Sequence, residues 1–355
     1  MRSAHPEQLR LVPTGSWPAV PSSHIIIGLK ELPENETFPL KHTHVQFAHC
    51  YKNQSNWAEV LSRFPRGGGT LLDLEFLQDE TGRRVAAFGY HAGFAGAALA
   101  IKCWAWQLQN PSKASTGSMP GVKPYQNEDL MLEDVQEAVQ QGKKVAGRLP
   151  RVVIIGALGR CGKGAIDLCL RSGLGREDLL EWDMAETAKG GPFAEIVESD
   201  IFINCIYLST PIPPFVDTAS LTTPKRNLSV ICDVSCDTTN PHNPIPVYTI
   251  NTSFTNPSVP VPLQASAGKD GSGSRTALPL SVISIDHLPT LLPREASESF
   301  SAALLPSLME LKNWRKGKKG STRVWEQAEA LFDEKVATLP AETAQGSKTG
   351  NGDVT

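Results

Sequence analysis

No run of apolar residues in this chain approaches the roughly 20 that a membrane-spanning helix needs. The opening residues, Met1–Arg10, are polar and lack the apolar centre of a secretory signal. The sequence closes on Asp353-Val354-Thr355, not on a Ser-Lys-Leu-type peroxisomal tripeptide. These absences leave the cytoplasm as the expected location and a membrane as an unexpected partner. Basic residues form no stripe interleaved with aromatics, and the formal net charge is -3, so nucleic acid is not an expected partner either. The seven cysteines are odd in number and widely scattered, which excludes a secreted disulfide framework. Cys232 and Cys236 bracket Asp233-Val234-Ser235, with His242 nearby. No second Cys/His pair follows at zinc spacing, and no metal is expected. No internal repeat is visible.

What is present is an ordinary globular balance, 40% hydrophobic and 20% charged over 355 residues, enough for two domains with a core each. Short apolar or β-branched runs predict strands at His24–Lys30, Val45–His49, Thr70–Leu77, Arg151–Ile155, Leu179–Met184, Ile201–Leu208, Leu228–Ser235 and Ser281–Ile285. The run Ile201–Leu208 is apolar almost throughout, as in a parallel strand covered on both faces. Helical spacing predicts helices over Asn56–Phe64, Phe88–Leu108, Glu128–Gln141, Ala296–Leu311 and Val324–Val336. The small residues Ala92-Gly93-Phe94-Ala95-Gly96-Ala97-Ala98 would let another backbone approach the second helix closely. Asn110–Lys123 reads as a Pro/Ser/Gly linker, Ala265–Arg275 as a flexible surface insertion, and the segment from Ala341 as a disordered tail. The alternation of strands and helices predicts an α/β fold with parallel, doubly wound sheets.

The strongest local signal is Val152-Val153-Ile154-Ile155-Gly156-Ala157-Leu158-Gly159-Arg160-Cys161-Gly162-Lys163-Gly164. A strand runs into glycines spaced G-x-x-G-x-x-G, and a helix follows. Glycines permit a tight turn and let backbone N–H groups approach a pyrophosphate, while the helix N-terminus offers its positive dipole end. The spacing is one residue longer before the second glycine than the commonest fingerprint. The next strand delivers Asp183 about 20 residues on, where a ribose-binding acid belongs, and no Arg follows it immediately, which favours NAD over NADP. The alternative is a tight strand–helix turn with no ligand.

Lys30 and His49 fall at the ends of the first two predicted strands, where ligand crevices of parallel sheets lie. Both residue types suit acid–base work, with Glu31 and Glu75 near enough in the pattern to tune them. The alternatives are a solvated lysine and a hydrogen-bonded core histidine. Arg83-Arg84 would suit carboxylates, although taken alone the pair reads as a solvated hairpin.

Together the segments IIIGLKELPE, QFAHCYK, LDLEFLQDETGRRVAAFG, AGFAGAA, VIIGALGRCGKGAIDL, GGPF, DIFINCIYLS, DTTNPHNPIP and SVISIDHLPTLLPREAS closely resemble the fungal saccharopine dehydrogenase family (NAD, L-lysine-forming). The resemblance runs from Ile25 to about Phe332. It implies two Rossmann-like doubly wound domains with the active site in the cleft between them. It also implies the final step of the aminoadipate route to lysine. In that reaction saccharopine, NAD and water give lysine, 2-oxoglutarate and NADH, by hydride loss from the glutamate part, attack of water on the imine and collapse of the carbinolamine. Proton transfers at the nitrogen and the water call for two acid–base groups. By position, the resemblance makes Lys30 the proton acceptor and His49 its partner acid–base. It assigns saccharopine to Lys30, Gln54, Arg84, Phe88 and the Ser235-Cys236-Asp237 segment, where the family usually has Ala in the place of Cys236. It assigns NAD to Arg83, Gly159, Arg160, Asp183, Thr187, Tyr207, Val234 and the stretch Ile285-Asp286-His287-Leu288. Cys161 and Cys205 match a pair able to form a disulfide, and in a reducing cytosol thiols are expected. The implied working form is a monomer.

The resemblance further implies a division into a substrate domain, residues 1–93 with 293–340, a dinucleotide domain, 94–292, and a tail, 341–355. The family's chains open earlier, with an R-x-E-x-K-P-x-E-x-R segment that Met1–Ser16 does not match. The expectation is therefore an N-terminally truncated chain, without a first strand, a first helix and a carboxylate-binding Arg. The competing function is then an NAD-binding protein without turnover, and a third is an alanine-dehydrogenase-like enzyme.

Overall fold

The computed structural model describes residues 10–28, 30–33, 35–236, 238, 240–263, 278–314 and 323–340. Its strands are β1 (Ile25–Ile27), β2 (Thr43–Gln46), β3 (Thr70–Asp73), β4 (Val152–Ile155), β5 (Leu179–Trp182), β6 (Ile201–Asn204), β7 (Val230–Asp233), β8 (Val259–Pro260) and β9 (Ser281–Ile283). Its α-helices are α1 (Trp57–Gly67), α2 (Gly89–Gln109), α3 (Pro111–Ala114), α4 (Glu128–Ala146), α5 (Arg160–Arg171), α6 (Met184–Thr187), α7 (Ala194–Glu198), α8 (Thr218–Leu221), α9 (Pro293–Trp314) and α10 (Arg323–Ala337). The chain divides into two compact units, Met1–Ala87 with Ser301–Thr355, and Phe88–Phe300. The expected insertion at 265–275 and the tail from 341 lie outside the described residues.

The first unit holds a parallel sheet in the order β1-β2-β3. The second strand occupies Thr43–Gln46, earlier than the expected Val45–His49, because the backbone leaves the extended region: His49 has φ 49° and Asn53 φ 57°. The third strand stops at Asp73, whose carboxylate accepts the Glu75 N–H at 2.9 Å and bends the chain into a 3₁₀ turn over Leu74–Phe76. Helix α1 buries Leu61 and Phe64 and ends at Gly68, φ 73°, a left-handed cap that glycine adopts without strain. The core joins Leu40, Leu61, Phe64, Leu71 and, from α10, Phe332, whose ring meets Phe64 edge-on at 6.2 Å.

The second unit holds a six-stranded sheet in the order β5-β4-β6-β7-β9-β8, parallel except for the β8–β9 pair. Every residue of β4, β6 and β7 is buried, as parallel strands with both faces covered require. The chain runs from β4 outward to β5 and then back to β6 on the other side, so the sheet's topological switch lies beyond the carboxyl ends of β4 and β6. The short antiparallel β8 had no sequence signal; it is two residues long with Pro260 at the sheet edge, where a missing N–H is tolerated. The small-residue stretch of α2 brings two helices into backbone contact. A Cβ on Gly93 would lie 1.8 Å from the Cys161 carbonyl oxygen, and one on Gly164 1.9 Å from that of Tyr90. Four strands end earlier than their apolar patterns suggest, at Trp182, Asn204, Asp233 and Ile283, and at each a polar side chain takes up an amide just beyond the strand: Glu186 that of Asp183, Asn204 that of Ile206, Asp233 that of Ser235 and Thr252 that of Ser284. Among the described residues, no helix is long and apolar enough to cross a membrane.

Candidate functional site

In the second unit the glycine turn follows β4. Gly156 has φ 90°, and a Cβ there would lie 2.6 Å from Ile206 Cγ2, so the position excludes any side chain on two grounds. The Gly156 and Ala157 N–H groups donate to the Trp182 carbonyl at 2.8 and 3.0 Å, binding the turn to the end of β5. Gly159 is the N-cap of α5 and carries no capping side chain, so the helix offers its first amides and positive dipole end outward. Gly162 must also be glycine, since its Cβ would lie 2.2 Å from the Gly156 oxygen.

Asp183 stands beside this turn: its carboxylate accepts the Leu158 N–H at 3.0 Å and the Met184 N–H at 3.0 Å, capping α6. Thr187 donates its hydroxyl to the Asp183 carbonyl at 2.9 Å, one helical turn on. Leu158 and Met184 flank the carboxylate 74% and 82% exposed, apolar surface of the kind a flat base covers. A glycine cradle, an uncapped helix start and an acid at the end of the second strand fit a dinucleotide on this chain's own geometry.

Of the other expected cofactor residues, all but Arg83, which lies in the first unit, fall at or just past the carboxyl ends of this sheet's strands. Arg160 opens α5, Tyr207 lies three residues past β6 and is exposed, Val234 is the first residue past β7, and Ile285–Leu288 follow β9. In a parallel sheet these carboxyl ends are neighbours. Ile285 and Leu288 are buried, Asp286 and His287 exposed. Cys161 and Cys205 are free thiols in mutual hydrogen-bond contact, and that contact, with burial, holds the Cys205 thiol well above its ordinary range. Of the expected substrate residues, Ser235 donates its hydroxyl to Asp233 at 2.7 Å. Cys236 adopts φ 33°, with its sulfur 3.8 Å from Asp286 Oδ1. Asp237 lies outside the described residues. Phe88 stacks on Phe300 at 4.4 Å and 12°. Sequence reasoning passed over Asn204 and Asp233, both almost fully buried. Their signal was a polar residue closing an otherwise apolar strand, as in Ile201-Phe202-Ile203-Asn204.

In the first unit, Lys30 and His49 each lie three residues past a strand rather than at its end. The His49 Nδ1 is in close contact with Glu31 Oε1, and the imidazole is 42% exposed, so it is not a core histidine. Burial pulls the Glu31 carboxyl up, but its own backbone N–H, His49 and Lys30 outweigh that and hold it below the usual carboxylate range. One anion thus faces both expected acid–base groups. Behind it, Asp73 anchors the segment: its second oxygen accepts the Ala48 N–H at 3.3 Å, fixing the residue before His49. Burial pushes Asp73 up to about 6 against the hydrogen bonds from Glu75 and Ala48. Glu31, His49 and Gln54 line one cavity of about 840 Å³. Gln54 accepts the Lys52 N–H at 2.9 Å. Arg83 and Arg84 form the expected hairpin, with an Arg84–Gln78 bridge, and Arg84 is ion-paired to Glu75 at 3.3 Å, which also takes Lys52 at 2.6 Å.

The parallel α/β unit with its glycine turn and strand-end acid defines a Rossmann-type dinucleotide-binding protein. A family model described as the N-terminal domain of alanine dehydrogenase/PNT matches residues 8–95. A solved L-alanine dehydrogenase shares the fold, with a TM-score of 0.50 at 16% identity over 88% of this chain and 76% of that one. Much nearer are curated proteins named saccharopine dehydrogenase [NAD(+), L-lysine-forming]. That of Neurospora crassa is 59% identical over 335 residues, 94% of this chain and 84% of its own. That of Emericella nidulans is 59% identical over 332 residues, 93% and 84%. That of Schizosaccharomyces pombe is 56% identical over 330 residues, 93% and 84%. The chain belongs to the saccharopine dehydrogenase [NAD(+), L-lysine-forming] family.

Proposed function

We propose that this chain oxidatively deaminates saccharopine to lysine and 2-oxoglutarate with NAD. The observation that carries the proposal is the arrangement around Glu31: an imidazole in contact with its carboxylate and Lys30 beside it, on a chain 59% identical to proteins named for this reaction. The bound cofactor supplies the hydride acceptor, and the protein supplies everything that moves protons. Lys30 takes the proton from the substrate amine. His49, oriented by Glu31 at Nδ1, works with the opposite ring nitrogen on the water that attacks the imine, and returns a proton as the carbinolamine collapses. The carboxylate does for His49 what an orienting acid does in any acid–base pair: it fixes the ring and the tautomer.

The remaining roles follow the family pattern. Gln54, Arg84, Phe88, Ser235, Cys236 and Asp237 hold saccharopine. Arg83, Gly159, Arg160, Asp183, Thr187, Tyr207, Val234 and Ile285-Asp286-His287-Leu288 hold NAD. The dinucleotide domain in this proposal is residues 94–292, within the compact unit Phe88–Phe300, and the enzyme acts in the cytoplasm as a monomer, without nucleic acid or membrane.

The test is steady-state NADH formation by Lys30→Met and His49→Gln. Each should lose at least about 100-fold in kcat, as removal of an acid–base group does, and flatten one limb of the pH profile. Full activity in both variants would remove these roles.

A further inference from the structure

We propose that Asp233, with Asn204 and Tyr248, is a positioning cluster that turns the loop after β7 inside out, so that its carbonyls rather than its amides face the ligand. This rests on the saccharopine and NAD reading above and names a part of that site which the family pattern leaves unassigned.

Asp233 closes β7 and is 1% exposed. Its Oδ1 accepts four hydrogen bonds: Asn204 Nδ2 at 3.0 Å, the Ser235 N–H at 3.2 Å, the Ser235 hydroxyl at 2.7 Å and the Cys236 N–H at 3.3 Å. Its Oδ2 accepts the Tyr248 hydroxyl at 2.5 Å. A carboxylate offers about four lone-pair sites, so five donors leave it no rotational freedom. Three of those donors come from the two residues of the loop itself. The loop is wound around the last side chain of its own strand, and the cost is visible at Cys236, held at φ 33°.

Asn204 is the register partner of Asp233 on the adjacent strand. Its amide also donates to the Ile206 carbonyl at 3.1 Å, and its oxygen accepts the Ile206 N–H at 3.4 Å. Ile206 is the residue whose methyl fills the space above Gly156. The pair therefore ties together the turns that follow β4, β6 and β7. Tyr248 is 7% exposed, and burial followed by the neighbouring Asp233 pushes its phenol upward, which keeps it a hydrogen donor.

An apolar pair would close two strand ends at less cost than a buried carboxylate with five donors. What the polar cluster achieves is orientation. With the Ser235 and Cys236 amides consumed inward, the Val234 and Ser235 carbonyl oxygens have no donor among the described residues. They are acceptors suited to a carboxamide NH₂ or a substrate amine, N–H-bearing groups at the reacting end of the two ligands.

The experiment uses the full chain and NADH fluorescence titration, with saccharopine KM and kcat and thermal melts alongside, for Asp233→Ala, Asp233→Asn and Tyr248→Phe. Asp233→Asn keeps the Oδ1 acceptor and lets the phenol reverse its bond, so NADH affinity should stay within about three-fold of wild type. Asp233→Ala should weaken NADH binding by about ten-fold or more and raise the saccharopine KM, the scale expected when several buried donors lose their acceptor. Tyr248→Phe, the milder change, should weaken NADH binding about three-fold if Asp233→Ala does not fold. Lower melting temperatures with unchanged NADH affinity and KM in the folded variants would overturn the positioning role alone. Failure of the wild type to bind NADH would overturn the cofactor reading and this proposal together.

Discussion

Two buried groups on neighbouring strands of the first unit make its stability respond to pH in opposite senses. Burial raises Asp73 from the ordinary 3.8 to about 6, so the folded chain prefers the protonated acid. The stability this contributes is complete below pH 3.8 and is lost as pH rises through about 6. Burial lowers His44 from 6.5 to about 4, so the folded chain prefers the neutral ring, packed edge-on to Trp17 at 5.1 Å and Phe64 at 5.5 Å. Its contribution is complete above pH 6.5 and is lost as pH falls through about 4. At about 1.4 kcal/mol per pH unit, each effect amounts to about 3 kcal/mol. Across pH 4 to 6.5 the two nearly cancel in the wild type. Asp73→Asn removes one and leaves the other exposed. Its stability relative to wild type should rise by up to about 3 kcal/mol between pH 4 and 7, while its own stability falls toward acid. His44→Gln should show the mirror image. Urea unfolding read by tryptophan fluorescence, to which Trp17 contributes from beside His44, measures both. A gap between Asp73→Asn and wild type that is the same at pH 4 and pH 7 would refute the reasoning.

Gly164→Ala drives a methyl into the Tyr90 carbonyl, 1.9 Å away, and must separate α2 from α5. It should cost about 2 kcal/mol or more, seen as a lower midpoint in denaturant, and weaken NADH binding because α5 begins at the glycine turn. Asp183→Ala removes the acid beside that turn and should weaken NADH about ten-fold, near 1.4 kcal/mol, in a fluorescence titration while narrowing the preference over NADPH.

The second unit was largely legible because its signals are backbone signals. Val152–Ile155 running into Gly156, Gly159 and Gly162 leaves few other conformations, and Asp183 follows at the right distance. What the sequence did not reveal was where strands stop. Apolar pattern alone extends Ile201–Leu208 and Leu228–Ser235 past their ends, because the terminators are the side chains of Asn204 and Asp233, which bond the residues just beyond them only when held in place by partners distant in sequence: the 204–233 pair itself and Tyr248. The same blindness affected the first unit. Asp73 ends β3 and pins Ala48, a contact across 25 residues, and the positive φ of His49 has no local marker such as glycine. Glu31 was visible only as an acid next to Lys30; its contact with His49 depends on how two loops return from parallel strands.

The central claim is the reaction, and saccharopine-dependent reduction of NAD by the purified chain tests it most directly. Absorbance of NADH should rise with saccharopine and NAD both present and not with alanine in place of saccharopine, and lysine and 2-oxoglutarate should accumulate in equal amounts. NADH binding without turnover at any saccharopine concentration would contradict the account.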